Sequence, residues 1–237
     1  IKIGELLSHD TFYDYLTKFG VGSKTGSGLP GESRGILPKV ANWSGTSAPT
    51  MAFGQGYSLT AMQATSIFAT IANDGVRVSP TVIAGTHDSS GNFTPAPGRT
   101  SQRVISSETA KAMRLMMESV VSGNGTAPTA AIAGYRVAGK TGTAQRIDDT
   151  CGCYRGYTAS FIGFAPADKP AYVISVTIQD PKGLHWGGAL GGPVFKKVMS
   201  FVLQSRHIAP TGTTFDPIPL NKKALAAKKA QDATANN

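Results

Sequence analysis

The sequence has little of what a metal centre or a nucleic-acid interface requires. Its 237 residues include only 2 cysteines and 4 histidines. The cysteines lie in Cys151-Gly-Cys153 and the histidines are scattered, so no cluster has the spacing of a zinc site. Lys and Arg outnumber Asp and Glu 23 to 14, yet residues 1–210 contain no basic run with interleaved aromatics and no recognisable nucleic-acid module. We therefore expect no metal, no cofactor and no nucleic-acid partner.

Long hydrophobic runs are also absent, so the sequence shows no signal peptide or transmembrane segment. Hydrophobic residues make up 41% of the chain, enough for one substantial core, and 28 glycines and 14 prolines predict long loops. The composition changes near residue 209, where a Pro/Thr-rich stretch leads into a Lys/Ala/Asn-rich end. We expect a domain over residues 1–208 and a flexible tail over residues 209–237, in which residues 222–229 could form a short basic helix.

The hydrophobic pattern predicts a chain that mixes helices with strands. Apolar residues at helical spacing predict helices over residues 11–19, 59–72, 107–121 and 193–203. The apolar stripe of the last helix should pack on a sheet; it consists of Val194, Phe195, Val198, Phe201 and Val202. β-Branched and aromatic residues predict strands over residues 157–165 and 172–178, joined by a turn. Two glycine pairs within residues 187–192 predict a mobile loop before the last helix.

The most informative stretch is Lys140-Thr141-Gly142-Thr143, which is compatible with two different sites. Residues 134–141 match the phosphate-loop pattern G-x-x-x-x-G-K-T without a mismatch. That pattern needs a buried strand before it and a helix after it. Here the preceding residues are small and interrupted by Pro128, and a glycine follows the Lys-Thr pair, so both flanks disfavour a phosphate loop.

The same residues alternate as a strand does. Tyr135, Val137, Gly139, Thr141 and Thr143 fall on one face of an extended segment, and the residues between them fall on the other. Together with the two strands that follow, this segment predicts an antiparallel meander with short links. A Lys-Thr-Gly at an open sheet edge can bind an extended peptide through its backbone while the lysine attracts a carboxylate.

Several blocks of sequence recur in the order and spacing of one family. They are Phe19-Gly-Val-Gly22, Thr25-Gly26, Leu29-Pro-Gly-Glu32, Phe53-Gly-Gln-Gly56, Leu59-Thr-Ala-Met-Gln63, Lys140-Thr-Gly-Thr-Ala-Gln145, Thr158-Ala-Ser-Phe-Ile-Gly-Phe-Ala-Pro166 and Pro193-Val-Phe-Lys196. On these blocks the chain resembles the class B penicillin-binding proteins, most closely the division-associated peptidoglycan transpeptidases of the actinobacterial type. The resemblance implies an α+β class with the penicillin-binding transpeptidase (serine β-lactamase-like) fold, in which helices flank an antiparallel sheet.

The resemblance also implies a reaction and its residues. Lys140 and Thr141 would bind the carboxylate of a stem peptide or β-lactam, and Gly142 would keep the strand edge open. The N–H of Thr143 would form half of an oxyanion hole. The reaction would be acyl transfer, in which a serine attacks a D-Ala-D-Ala bond and an amine of a neighbouring stem peptide accepts the acyl group. His185 and Trp186 would be either substrate contacts or an exposed loop pair.

The serine that this reaction needs is absent, because no serine is followed three residues later by a lysine. Two Ser-x-Asn triplets, at Ser90 and Ser122, and a second Lys-Thr-Gly, at Lys24, lie in glycine-rich turns. The chain also starts with isoleucine. We expect the C-terminal part of a transpeptidase domain, inactive alone, with the nucleophile, a non-catalytic domain and an N-terminal membrane anchor upstream. The parent protein would lie at the extracytoplasmic face of the cell membrane.

Several alternatives stay open at this point. An oxidising extracytoplasmic compartment permits a disulfide between Cys151 and Cys153, and free thiols are the other possibility. Among enzymes, a D-Ala-D-Ala carboxypeptidase or a β-lactamase competes with a septal transpeptidase. Among proteins that are not enzymes, the alternative is a sensor that binds penicillin or stem peptides without turnover. The partners that the resemblance implies are peptidoglycan stem peptides, β-lactams and membrane proteins of the division machinery.

Overall fold

The computed structural model describes residues 1–148 and 150–212, together with Ala226 and Thr234 as single residues. Its helices are α1 (His9–Lys18), α2 (Ser47–Met51), α3 (Ala61–Ala72), α4 (Ser107–Glu118) and α5 (Gly187–Ser205). Its strands are β1 (Val76–Val78), β2 (Gly85–His87), β3 (Phe93–Pro95), β4 (Ser101–Arg103), β5 (Ala138–Asp148), β6 (Cys153–Ala165) and β7 (Tyr172–Gln179). Short 3-10 turns cover Gly4–Leu6, Val40–Asn42 and Pro128–Ala130.

Strands β5, β6 and β7 form the main sheet in that order, with antiparallel pairing throughout. β6 is the central strand, so that its Phe161 lies between Thr141 of β5 and Val176 of β7. β-Branched and aromatic residues in β6 and β7 favour this pairing. Within the described part of the chain, β5 pairs with β6 alone, and its other edge is free. The predicted antiparallel meander is confirmed. Two separate two-stranded ribbons, β1–β4 and β2–β3, complete the strand pairing.

Helices cover both faces of the main sheet. On one face α5 buries Phe195, whose ring meets Phe161 of β6 edge-on with centroids 4.9 Å apart. On the other face, Ile71 of α3 and Met117 of α4 form a second buried cluster with Phe164 of β6. Each face of the sheet therefore contributes to an apolar core, which is the main source of folding free energy for such a layered domain. The predicted α+β class, an antiparallel sheet flanked by helices, is confirmed.

The predicted loop at residues 187–192 is wrong, because these residues form the first turns of α5. Glycine has a weak helix propensity and Pro193 lacks a backbone N–H, so local rules place the start of this helix later. Tertiary packing overrides the propensity. The four glycines of the segment are buried, and a Cβ at each of them would overlap β5, β6 or the residues just before β5.

The apolar stripe predicted for α5 is only partly correct. The residues that α5 buries beyond its glycines are Phe195, Met199 and Leu203, four residues apart. Val194 and Phe201, which belong to the predicted stripe, are 44% and 69% exposed. The glycines determine which side of the helix meets the sheet. The predicted stripe extends beyond that side and so includes residues that face solvent.

The other predicted helices are present with shifted ends. Ser8 caps α1 through its side chain, so that this helix begins at His9. A capping box between Thr60 and Gln63 places the start of α3 at Ala61. α4 ends at Glu118, three residues before the predicted end. Boundary shifts of this size follow from capping contacts that periodicity does not report.

Two polar side chains, the buried Gln63 and the half-buried Glu32, hold the glycine-rich first third of the chain. The Gln63 amide donates to the carbonyl oxygens of Ser23 and Arg34, both at 2.8 Å. Its own oxygen accepts the N–H of Thr60 at 2.8 Å. The Glu32 carboxylate accepts the backbone N–H and the hydroxyl of Thr25. These bonds satisfy backbone groups that loops would otherwise leave unpaired. The second Lys-Thr-Gly lies in an irregular loop, outside any helix or strand.

The body of the molecule includes the first residues after α5. The Tyr135 hydroxyl donates to the carbonyl oxygen of Ile208 at 2.7 Å, and the Gly212 N–H donates to the carbonyl oxygen of Gly134 at 3.0 Å. The predicted basic helix at residues 222–229 falls outside the described residues, apart from Ala226. The domain boundary at residue 208 stays a prediction. No helix in the described ranges has the length and hydropathy needed to cross a membrane.

Candidate functional site at the edge of the main sheet

Residues 140–143 lie in the first half of β5, along the free edge of the main sheet. The strand continues to Asp148 without a helix, so the residues after Lys140 do not present the N–H groups of a helix terminus to a phosphate. The phosphate-loop interpretation is therefore wrong. The strand instead offers a row of backbone donors and acceptors with which an extended peptide can pair.

The side chains of this segment leave β5 on alternate faces. Lys140 and Gly142 share a face with Ser160 of β6, whereas Thr141 and Thr143 lie on the face that α5 covers. The Lys140 side chain bends back onto its neighbour. Its Nζ donates to the carbonyl oxygen of Thr141 at 2.9 Å and lies 3.4 Å from the Thr141 hydroxyl. The two residues predicted to bind a carboxylate are thus within reach of one another.

Among the residues that the structure describes, Lys140 has no counter-ion. It is exposed to solvent, yet neighbouring atoms desolvate its ammonium enough to lower its pKa below the ordinary value for lysine. A carboxylate beside Lys140 would stabilise the charged ammonium, offset the effect of desolvation and raise the pKa again. The site therefore favours an anionic ligand.

Gly142 lies directly against a side chain of the neighbouring strand. A Cβ on Gly142 would lie 2.5 Å from the hydroxyl oxygen of Ser160, well inside contact distance. Ser160 occupies the position directly opposite on β6. Any other residue at position 142 would therefore push the Ser160 side chain aside before it reached a bound peptide.

The Thr143 hydroxyl meets the N-terminus of α5. The Gly187 N–H donates to the Thr143 hydroxyl oxygen at 3.2 Å. Trp186, the N-cap residue, makes no side-chain cap, so Thr143 satisfies a helix N–H that the local sequence leaves unpaired. Because this hydroxyl already accepts from the helix, its own proton is free to donate to a ligand. The positive end of the helix dipole also lies behind it.

His185 and Trp186 lead into this helix terminus, two residues and one residue before Gly187. The His185 ring stacks on Tyr157 with centroids 4.1 Å apart and planes at 8°. Trp186 lies against His185 at 4.9 Å and is 60% exposed. The three rings form an aromatic ledge, and the Gly187–Thr143 bond joins the ledge to the strand edge. Both residues predicted as substrate contacts or an exposed pair are thus beside the site.

Comparison with known proteins decides the family. The family sequence model of the penicillin binding protein transpeptidase domain matches residues 1–200 of this chain. The chain belongs to the penicillin-binding transpeptidase family. It is 42% identical over 229 residues to penicillin-binding protein PbpB of Mycolicibacterium smegmatis, covering 92% of this chain and 35% of that protein. It is 34% identical over 214 residues to the peptidoglycan D,D-transpeptidase FtsI of Escherichia coli strain K12, covering 90% of this chain and 35% of FtsI.

Solved structures of the family show the same fold. Penicillin binding protein 3 of Mycobacterium tuberculosis, complexed with ampicillin, matches with a TM-score of 0.84 and 39% sequence identity. The match covers 92% of this chain and 50% of that one. The chain spans about a third of the length of the curated relatives named above. The predicted resemblance to the penicillin-binding transpeptidase fold is confirmed.

The base of the transpeptidase strand β5 is fixed by an ion pair that the sequence did not suggest. Arg136 lies two residues before β5, and its Nε and Nη2 donate to the two oxygens of Glu118 at 2.8 and 2.6 Å. The Glu118 side chain, on the last residue of α4, is only 2% exposed. The bonded carboxylate raises the pKa of the Arg136 guanidinium above its ordinary value, so the arginine stays charged. The pair joins α4 to the entrance of the Lys-Thr-Gly strand.

Thr126 is a second residue that the sequence did not suggest. Its hydroxyl oxygen lies 3.1 Å from that of Thr141. Thr126 is exposed and belongs to the segment between α4 and β5.

The two Ser-x-Asn triplets form local contacts in turns and lie outside this site. The Ser90 N–H donates to Asp88 in the β2–β3 turn, and the Ser122 hydroxyl donates to the carbonyl oxygen of Ser119 just after α4.

The far end of the β5–β6 hairpin carries the two cysteines. Cys151 and Cys153 are joined as a disulfide, with Cα atoms 5.2 Å apart. Both residues are exposed. In the described part of the chain, no group of three or more His, Cys, Asp or Glu side chains is arranged to hold a metal ion.

We predict that Gly187→Ala destabilises the domain, because the new Cβ would overlap the backbone oxygens of Ser160 and Gly142. These are backbone atoms of paired strands, so the helix must move and its bond to Thr143 must lengthen. Overpacking of this kind costs about 1–3 kcal/mol, measurable by urea denaturation of the 237-residue chain. Gly45→Ala is the control, since a Cβ at Gly45 meets no atom within 4 Å. Equal midpoints for both variants would show that α5 does not depend on this close approach.

Proposed function

We propose that this chain supplies the carboxylate-binding and oxyanion side of the active site of a peptidoglycan D,D-transpeptidase. The whole enzyme would cross-link stem peptides during septal wall synthesis by serine acyl transfer. The observation that carries the proposal is the position of Lys140-Thr141-Gly142-Thr143 on an unpaired sheet edge in a chain of this family. Of the relatives, the Escherichia coli protein is named a peptidoglycan D,D-transpeptidase, and one neighbouring structure is described as complexed with ampicillin.

The D-Ala-D-Ala end of a stem peptide would bind as an added strand along β5. Backbone hydrogen bonds to the free edge would align the peptide, while Lys140 and the Thr141 hydroxyl bind its terminal carboxylate. The small Gly142 would let the peptide backbone approach. The Thr143 N–H would donate to the oxygen that becomes negative in the tetrahedral intermediate. His185 and Trp186 would border the same cleft from the aromatic ledge.

Carboxylate binding at Lys140 should weaken as the pH rises. Desolvation lowers the Lys140 pKa, and an adjacent carboxylate raises it, so the bound state holds a proton more tightly than the free state. Binding is therefore strongest while the free ammonium is charged, and it weakens as the pH rises through the lowered pKa.

The nucleophilic serine has to come from outside these 237 residues, since no serine here is followed by a lysine at the third position. This chain would thus supply one wall of the active-site cleft. The parent protein would act at the extracytoplasmic face of the membrane, held by an N-terminal transmembrane helix outside this chain. Its partners would be stem peptides, β-lactams and membrane proteins of the division machinery. The chain has more basic than acidic residues, 23 Lys and Arg against 14 Asp and Glu. This excess of positive charge is compatible with a position beside the anionic surface of a membrane or cell wall.

A fluorescent penicillin tests the proposal. The isolated chain should remain unlabelled, because it lacks the nucleophile. A chimera in which this chain replaces the matching third of PbpB from Mycolicibacterium smegmatis should form a covalent adduct and produce cross-linked stem-peptide dimers. Covalent labelling of the isolated chain would contradict the proposal, as would a folded chimera that binds no penicillin. Release of free D-Ala without dimers would instead indicate a carboxypeptidase, and acylation without any turnover would indicate a sensor.

A further inference from the structure

The disulfide at the tip of the β5–β6 hairpin does not have the position of a structural crosslink. Cys151 and Cys153 are separated by one residue, Gly152, and both are exposed. We propose that this pair is a site of reversible thiol–disulfide exchange with low-molecular-weight thiols. The inference is independent of the proposed transpeptidase function, because it concerns only the hairpin tip.

Ring size is the first argument. A disulfide stabilises a fold mainly by restricting the unfolded chain, and in that account the effect shrinks with the number of residues enclosed. A bond that spans only Gly152 encloses almost the shortest possible loop, so the unfolded chain loses little freedom. Neither cysteine is among the buried residues of the apolar clusters of the domain. Loss of this bond should therefore leave the fold intact.

The hairpin tip has its own hydrogen bonds, which do not involve sulfur. The carbonyl oxygen of Asp148 accepts the Gly152 N–H at 2.9 Å, and its carboxylate accepts the Thr150 N–H at 2.9 Å. Cys153 also pairs with Asp148 across the two strands. These bonds would hold the two thiols near each other after reduction. A preorganised dithiol closes again readily, because the second sulfur attacks at high effective concentration.

Access favours exchange as well. A thiolate must approach one sulfur along the S–S axis, which requires an accessible disulfide, and both cysteine residues are exposed. Exposed disulfides are the ones that proteins tend to use as labile sites.

The exchange is balanced in two steps. A thiolate of the small thiol attacks one protein sulfur, the S–S bond breaks, and the second protein sulfur leaves as a thiolate and takes up a proton. A second molecule of thiol then attacks the mixed disulfide and releases the small-molecule disulfide. In total, two thiols are oxidised and one protein disulfide is reduced to two thiols.

A register shift between Gln145 and Ile147 separates the tip from the Lys-Thr-Gly segment, so the exchange can occur without unfolding that segment.

The test uses the folded 237-residue chain and glutathione as the probe. The oxidised protein is equilibrated in buffers with different ratios of reduced to oxidised glutathione, quenched by alkylation and analysed by mass spectrometry of the tip peptide. We expect full reduction at millimolar reduced glutathione without denaturant, and full recovery of the disulfide when oxidised glutathione is added. The single variants Cys151→Ser and Cys153→Ser should each accumulate a glutathione adduct on the remaining cysteine.

A folding control separates exchange from unfolding. The double variant Cys151→Ser/Cys153→Ser should keep the urea midpoint of the parent chain, which would show that the bond is not a crosslink on which the fold depends. A disulfide that resists millimolar glutathione until urea unfolds the chain would overturn the proposal. Two free thiols in protein purified under oxidising conditions would overturn it equally.

Discussion

Replacing Lys140 by alanine should lower the rate of β-lactam acylation in the PbpB chimera by on the order of 100–1,000-fold, the loss typical of removing one preorganised electrostatic contact from an active site. The substitution removes the ammonium that has no counter-ion among the described ion pairs. It also removes the contact to Thr141 that brings the two predicted carboxylate ligands together. The second-order rate constant for labelling by a fluorescent penicillin measures the effect.

The chain contains its own control for this experiment. Lys24 belongs to the second Lys-Thr-Gly triplet, which lies outside any helix or strand and whose Thr25 is buried and bonded to Glu32. Lys24→Ala removes the same charge from the same tripeptide and should leave labelling unchanged. Lys140→Arg should retain part of the rate, since it keeps the charge but not the compact ammonium. If Lys24→Ala and Lys140→Ala slowed labelling equally, general charge rather than the strand edge would be responsible.

The strand edge could be predicted from the sequence because its signal is local. Alternation from Tyr135 to Thr143 has a period of two, and the pattern does not depend on what the strand packs against. The neighbouring strands carried the same type of signal, which is why the meander and its order along the chain were also predictable. The family blocks added the fold, but the alternation alone already favoured a strand over a phosphate loop.

The start of α5 could not be predicted because its cause is distant in sequence. Gly187 and Gly191 are poor helix formers, and only the close approach of β5 and β6 explains why helix forms there. The same contact places the helix N-terminus against Thr143, 44 residues earlier in the chain. Sequence rules that read one window at a time interpret these glycines as a loop. The site therefore depends on a helix terminus that those rules miss.

The burial of Glu118 could not be predicted from the sequence for a related reason. A glutamate in an amphipathic helix usually faces solvent, and burial is favourable only with a partner that supplies several donors. That partner, Arg136, lies 18 residues later and outside any regular element. The paired side chains link the last turn of α4 to the strand that carries Lys140. The pair is therefore a structural support for the site, in addition to its contribution to the fold.

Glu118→Gln should lower the free energy of unfolding of the 237-residue chain by about 3–5 kcal/mol, the usual effect of removing one partner from a buried ion pair. The Arg136 side chain is only 20% exposed, so it would keep a charge with little water to replace the lost carboxylate. Urea denaturation followed by tryptophan fluorescence measures the change. Amide hydrogen exchange should show that protection at the start of β5 falls first, because Arg136 lies two residues before that strand.

An exposed ion pair supplies the matched comparison. Asp14→Asn breaks the pair with Lys18 in α1, where the two side chains are 55% and 41% exposed, and should cost less than about 1 kcal/mol. The double variant Glu118→Leu/Arg136→Met should be more stable than Glu118→Gln, because it removes both charges and fills the space with apolar groups. Recovery in the double variant would attribute the loss to an uncompensated buried charge. If Glu118→Gln proved no more harmful than Asp14→Asn, the pair would not support the entrance to β5, and another contact would have to hold the Lys140 strand at the sheet edge.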